Sequence, residues 1–144
     1  MPYNHYSPIP GRLGSAPGIF QSGRINTGTL AAGTQTHSLG GYNRRGWIKN
    51  AVLSAGGFPT AATSCVATLV KYNTTDGAVT LTDDLVINAQ TADTVLNFVF
   101  PSTLTEKQRT LNPGDVLRLV IVTVGAVTVQ PDDVTVTIDL FVEN

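Results

Sequence analysis

Residues 134–143 (VTVTIDLFVE) alternate almost without fault. Val134, Val136, Ile138, Leu140 and Val142 fall on one side, and Thr135, Thr137, Asp139, Phe141 and Glu143 on the other. This is the pattern of a strand with one face in a core and the other in water. Burying its five aliphatic side chains would contribute on the order of 10 kcal/mol before any opposing entropy. Residues 116–124 (VLRLVIVTV) read differently, because both faces are apolar: Leu117, Leu119 and Ile121 on one, Val116, Val120, Val122 and Val124 on the other, with only Arg118 and Thr123 polar. Such a strand has to be covered on both sides. The turn that leads into it, Asn112-Pro113-Gly114-Asp115, places Pro where φ is near −65° and Gly where φ is positive.

Upstream, strand patterns occupy residues 47–55, 63–73, 78–82, 85–89 and 95–100, and a short one residues 126–129. Asp76-Gly77 is a hairpin signal between the second and third of these. Only residues 105–110 are mildly helical. Together these make seven or eight strands at the spacing of a β-sandwich or jelly roll. Charged residues make up only 13 % of the chain, and Thr, Val, Ala and Gly stand where a helical protein would carry Glu, Lys and Leu. The composition therefore agrees with an all-β, antiparallel β-sandwich, jelly-roll-like.

Residues 1–45 follow another grammar. They hold eight of the fourteen glycines and four of the eight prolines, and no period survives beyond a few positions. Ordering that backbone costs on the order of 45–90 kcal/mol, while its scattered apolar side chains would return roughly 15–30 kcal/mol. The expectation is an extended N-terminal arm (1–45) attached to a β-sandwich domain (46–144), the arm lying across partner subunits. Its expected contact residues are Arg12, Phe20, Arg24, Tyr42, Arg44 and Arg45. The outward residues Val116, Arg118, Val120 and Val122 of the doubly apolar strand are the expected oligomer interface, with Arg118 reaching to the rim or to a neighbour's carboxylate.

Charge sharpens the contrast. The chain carries −1 overall, but residues 1–75 hold six basic side chains and no acidic one, and residues 76–144 hold ten acidic and three basic. A basic segment lying on an acidic surface is the natural reading. Six cations thinly spread beside a −7 half argue against nucleic acid.

Candidate chemistry is sparse. Both histidines, His5 and His37, precede residue 46, which argues against imidazole-dependent nucleophiles and histidine metal sites in the body. Asp83-Asp84 and Asp132-Asp133 read as acidic turns before they read as a carboxylate pair or a calcium site. Asn73-Thr74-Thr75 is a sequon in a Thr-rich chain. Cys65 is the single cysteine and reads as a small core residue. No catalytic residue, metal or cofactor is expected, nor a signal peptide or membrane-spanning run.

Four stretches carry a resemblance: Gly46-Trp47-Ile48-Lys49-Asn50-Ala51-Val52-Leu53, the hairpin around Asp76-Gly77, Leu111-Asn112-Pro113-Gly114-Asp115-Val116-Leu117, and the terminal VTVTIDLFV. Across about residues 46–144 the chain resembles the head decoration (cement) proteins of tailed bacteriophages. The resemblance implies a small β-sandwich, often trimeric, that sits on the outer capsid of the virion and clamps major capsid subunits. Such a protein would be synthesised in the host cytoplasm and would have no enzymatic activity. The alternative is a glycan-binding adsorption module of a phage head fibre or tail, which would need a surface row of coplanar aromatic rings.

Overall fold

The computed structural model describes residues 15–21, 24–41 and 44–143. These form a mostly β, antiparallel fold of twelve strands and one helical turn: β1 (Ser15–Gln21), β2 (Gly33–Gly41), β3 (Gly46–Ser54), β4 (Thr60–Ala61), β5 (Ser64–Asn73), β6 (Gly77–Thr80), β7 (Leu85–Val86), β8 (Val95–Asn97), α1 (Glu106–Arg109), β9 (Thr110–Leu111), β10 (Val116–Val124), β11 (Val127–Val129) and β12 (Thr135–Glu143). One five-stranded sheet runs β1-β12-β3-β8, with β9 also on β3. A second runs β2-β10-β5-β6, with β7 also on β5, and β4 pairs with β11.

The alternation read from the sequence fixes what faces inward. Val136, Ile138, Leu140 and Val142 of β12 join Ile48, Ala51 and Leu53 of β3 in one core with Cys65, Ala67 and Leu69 of β5 and Leu117, Leu119 and Ile121 of β10. Cys65 is fully buried there, its Sγ 3.4 Å from Thr123 Oγ1.

The two turns follow their residues. Gly114 adopts φ +96°, Asp115 N donates to Asn112 O, and Asn112 N donates back to Asp115 Oδ2. At the β5–β6 hairpin Gly77 sits at φ +71°, and Asn73 Oδ1 accepts from the Thr75 and Asp76 amides. Asn73 Nδ2 donates to Asp115 Oδ1, so the sequon amide is engaged. Beside this node Lys71, 5 % exposed, donates Nζ protons to the carbonyls of Lys107 and Thr110, closing the C-terminal end of α1. Thr105 caps the other end through a reciprocal pair with Gln108.

The expected arm differs from what the fold does with these residues. β1 pairs with β12 from Ser15↔Glu143 to Gln21↔Thr137, and β2 pairs with β10 from Gly33↔Thr123 to Gly41↔Val116. Leu30 and Leu39 enter the core, and the Gln130 side chain grips the backbone of Leu30 through both its amide N–H and its carbonyl. Residues 15–21 and 33–41 therefore pair into the two sheets ahead of the expected boundary at residue 46. Side-chain burial alone cannot order this segment, but ladders on the otherwise open edges of β12 and β10 satisfy its backbone groups, a term the comparison of side chains with entropy leaves out.

Candidate functional site

β10 lies between β2 and β5, and the pleat sends its two apolar sets to opposite sides. Leu117, Leu119 and Ile121 are buried. Val116, Arg118, Val120, Val122 and Val124 point away from the core, so the four interface residues expected from the sequence stand together on one face. Register extends that face across the sheet. Val122 pairs with Val66 of β5, and Val66 pairs with Val86 of β7, giving a row of valines across three strands. Val86 is 55 %, Val124 48 % and Val122 36 % exposed. Along β2, β5, β6, β7 and β10, every other outward position is Val, Thr, Ser, Tyr, Ala or Gly, and Arg118 is the one charged side chain. Depletion of charge around an apolar centre is the compositional mark of an interface core.

Arg118, expected to reach to the rim or to a neighbour's carboxylate, stacks within its own chain on Tyr72. Its guanidinium lies 3.9 Å from the centroid of the Tyr72 ring, a strand away. Stacking keeps the charge at the edge of the valine row, where the ring's negative face partly replaces water. Val66, Val86 and Tyr72 were not singled out from the sequence, although Val66 and Val70 flank Ala67 and Leu69 in a stretch of β5 that is apolar on both faces. That signal was the same as in β10.

The basic positions fall elsewhere. Arg24, expected to dock on a foreign surface, pairs with Asp133 of its own chain at 2.8 Å and stays largely exposed. One cation of the basic N-terminal half thus meets a carboxylate of the acidic C-terminal half within one molecule, since the segment after β1 runs beside Val134 through the Ile25 N to Val134 O bond. Phe20 lies in β1 with its backbone opposite Ile138. Arg44 and Arg45 are exposed where the chain enters β3. Arg12 and Tyr42 lie outside the described residues.

A second constellation marks the outer face of the other sheet. Lys49 is an extra residue in β3, because Asp139 of β12 pairs with Asn50 and Leu140 with Ile48. The bulge turns the carbonyls of Ile48 and Lys49 to Arg109, which donates Nε to the first and Nη2 to the second, both at 2.6 Å. The same guanidinium lies 4.4 Å from the Trp47 ring centroid and 4.5 Å from that of Phe100. Next to it is an open depression of about 240 Å3 lined by Trp47, Pro101, Leu104, Thr105, Glu106 and Arg109. Trp47 and Phe141 are neighbours at 6.4 Å, but their planes are tilted by 48°, and Lys49 sits over Phe141. The rings do not make a flat row.

Asp83 and Asp84 are exposed, and among the described residues no three His, Cys, Asp or Glu side chains gather into a metal-binding group. His37 sits in β2 with Nε2 3.0 Å from Gln35 Oε1, and burial lowers its pKa from 6.5. In comparisons with known proteins, no protein family and no curated protein matches the chain.

Proposed function

We propose that this protein is a virion structural protein, a jelly-roll-like β-sandwich that decorates the outer surface of a phage capsid and stabilises it by bridging major capsid subunits. The observation that supports assembly is the outward valine row Val122–Val66–Val86 with Val120 and Val124 beside it. Covering three half-exposed valines contributes about 1 kcal/mol each per copy, repeated in every copy of a symmetric contact. A trimer is the assembly that the resemblance of residues 46–144 implies, and the capsid as partner rests on that same resemblance. Arg12, Phe20, Arg24, Tyr42, Arg44 and Arg45 keep the proposed role of contacting capsid subunits. Adsorption to glycans would call for coplanar rings, and the tilt of Trp47 against Phe141, with Arg109 over Trp47, favours the assembly reading.

The test is Val120→Asp combined with Val122→Asp, with molecular mass by sedimentation and thermal unfolding measured on the same samples. A folded protein of smaller mass that no longer attaches to purified phage capsids is the expected result. An unchanged oligomer that still decorates capsids would remove this face from the proposal, and electron microscopy of such particles would show where the protein sits.

A further inference from the structure

We propose that the outer edge of β2 is a strand-addition site, and that its occupant is β2 of a second copy, paired antiparallel about a twofold axis. β2 ends its sheet: it pairs with β10 on one side, and among the described residues no strand lies on the other. An edge strand offers its unpaired N–H and C=O groups to any extended chain that fits, and natural edges are usually blunted by shortness, proline or charge. Among the described residues, the other edges of the two five-stranded sheets are short or carry proline. β1 carries Pro17, which has no N–H to offer, while β6, β7 and β8 have four, two and three residues. β2 is nine residues long and its sequence GTQTHSLGG contains no proline, lysine, arginine or carboxylate; its one irregularity is a bulge at Leu39, between the pairs Ser38↔Arg118 and Gly40↔Leu117, and residues 33–38 before it run in unbroken register.

The same sequence is complementary to itself. In an antiparallel pair centred on Thr36, Thr34 faces Ser38 of the second copy, Thr36 faces its own mate, and Gln35 faces His37. Each pair on the outward face then joins two hydroxyl side chains, a favourable cross-strand combination. On the other face, Gln35 and His37 already form a hydrogen-bonding pair along one strand, at 3.0 Å, and can exchange partners across the joint. No like charges meet while His37 is neutral, and its burial favours the neutral form. The pairing would also run the two sheets together, with Val120 and Val122, whose β2 partners are Thr36 and Thr34, one strand in from the joint on each side. A twofold contact at this edge is independent of the valine-face contact. Combined with a threefold contact there, it joins one ring of three to the next.

The register makes the test specific. Residues directly opposite have Cβ atoms about 4.5–5.5 Å apart, close to what a disulfide spans, whereas Thr34 stands four residues, roughly 13 Å, from its own mate. The native Cys65 is buried and does not compete. Under mild oxidation Thr36→Cys is expected to convert to a covalent dimer on a denaturing gel, Thr34→Cys to stay a single chain, and the double variant Thr34→Cys/Ser38→Cys to cross-link again. Equal cross-linking of Thr36→Cys and Thr34→Cys would overturn the register and the proposal with it. So would a Thr36→Cys variant that shows native circular dichroism yet stays a single chain, an outcome that leaves the edge to another protein's strand. Cross-linking retained in the Val120→Asp/Val122→Asp background separates this contact from the valine face.

Discussion

Arg109→Met removes one guanidinium and keeps an apolar stem of similar length, so it isolates what the planar cation does at the β3 bulge. The two hydrogen bonds to Ile48 O and Lys49 O come from a charged donor that is only half-buried, for which about 1 kcal/mol each is a reasonable discount from the buried value. The ring contacts with Trp47 and Phe100 add about 0.5–1 kcal/mol each. Met and Arg lose similar side-chain entropy on ordering, so that term largely cancels. The expected loss is about 3 kcal/mol, which for a chain of this size lowers Tm by roughly 10 °C. Trp47 is the only tryptophan and lies under Arg109, so urea unfolding followed by its fluorescence reads this site, while far-UV circular dichroism reads the sheets. A fluorescence transition that precedes the circular dichroism transition in Arg109→Met would show the bulge opening by itself. Arg109→Lys restores the charge without the fork that reaches two carbonyls, and it should recover less than half of the loss. A change below about 0.5 kcal/mol in Arg109→Met would refute the assignment of Arg109 as the clamp of the bulge. Full recovery by lysine would show that charge alone matters.

Burial lowers the pKa of the Lys71 ammonium from its ordinary 10.5, with Asp115 and Asp76 pulling it back up. The unfolded chain therefore holds this proton more tightly, and the stability that Lys71 contributes rises as pH climbs from the folded pKa toward 10.5. In paired urea titrations the advantage of the wild type over Lys71→Met should widen across that window, and a narrowing gap would count against the buried cation. Gly125, at φ +86°, leaves a new Cβ 2.9 Å from Ala62 Cβ and 3.2 Å from Thr63 N. Gly125→Ala should cost about 2–4 kcal/mol by denaturant unfolding, against about 1 kcal/mol for Gly28→Ala, whose φ of +57° is strained but whose surroundings are open. Equal costs would show that the close approach at Gly125 relaxes freely.

What the chain determines by itself is whatever local pattern and turn chemistry can specify. The strand at 116–124 has the bounds its pattern predicts. β12 begins one residue after the predicted start, because Val134 pairs with Ile25 in an isolated bridge before the ladder with β3 begins. The turns at Gly77 and Gly114 needed only a residue that tolerates positive φ, and the two-faced apolarity of β10 announced an outward valine face before any neighbour was known. Other features exist only in three dimensions. β2 is polar or small at nearly every position, so no alternation marks it, and it is a strand because β10 offers it an edge in register. The same holds for β1, whose Gly and Pro disguise a seven-residue ladder with β12. Arg109 could not be tied to Trp47 from its place in the sequence, since the bulge at Lys49 that aims two carbonyls at it is set by the pairing of β3 with β12. Arg24 found its carboxylate in its own chain for a related reason: net charge along a sequence says that opposite halves attract, but only the path of the chain decides whether they meet within one molecule or between two.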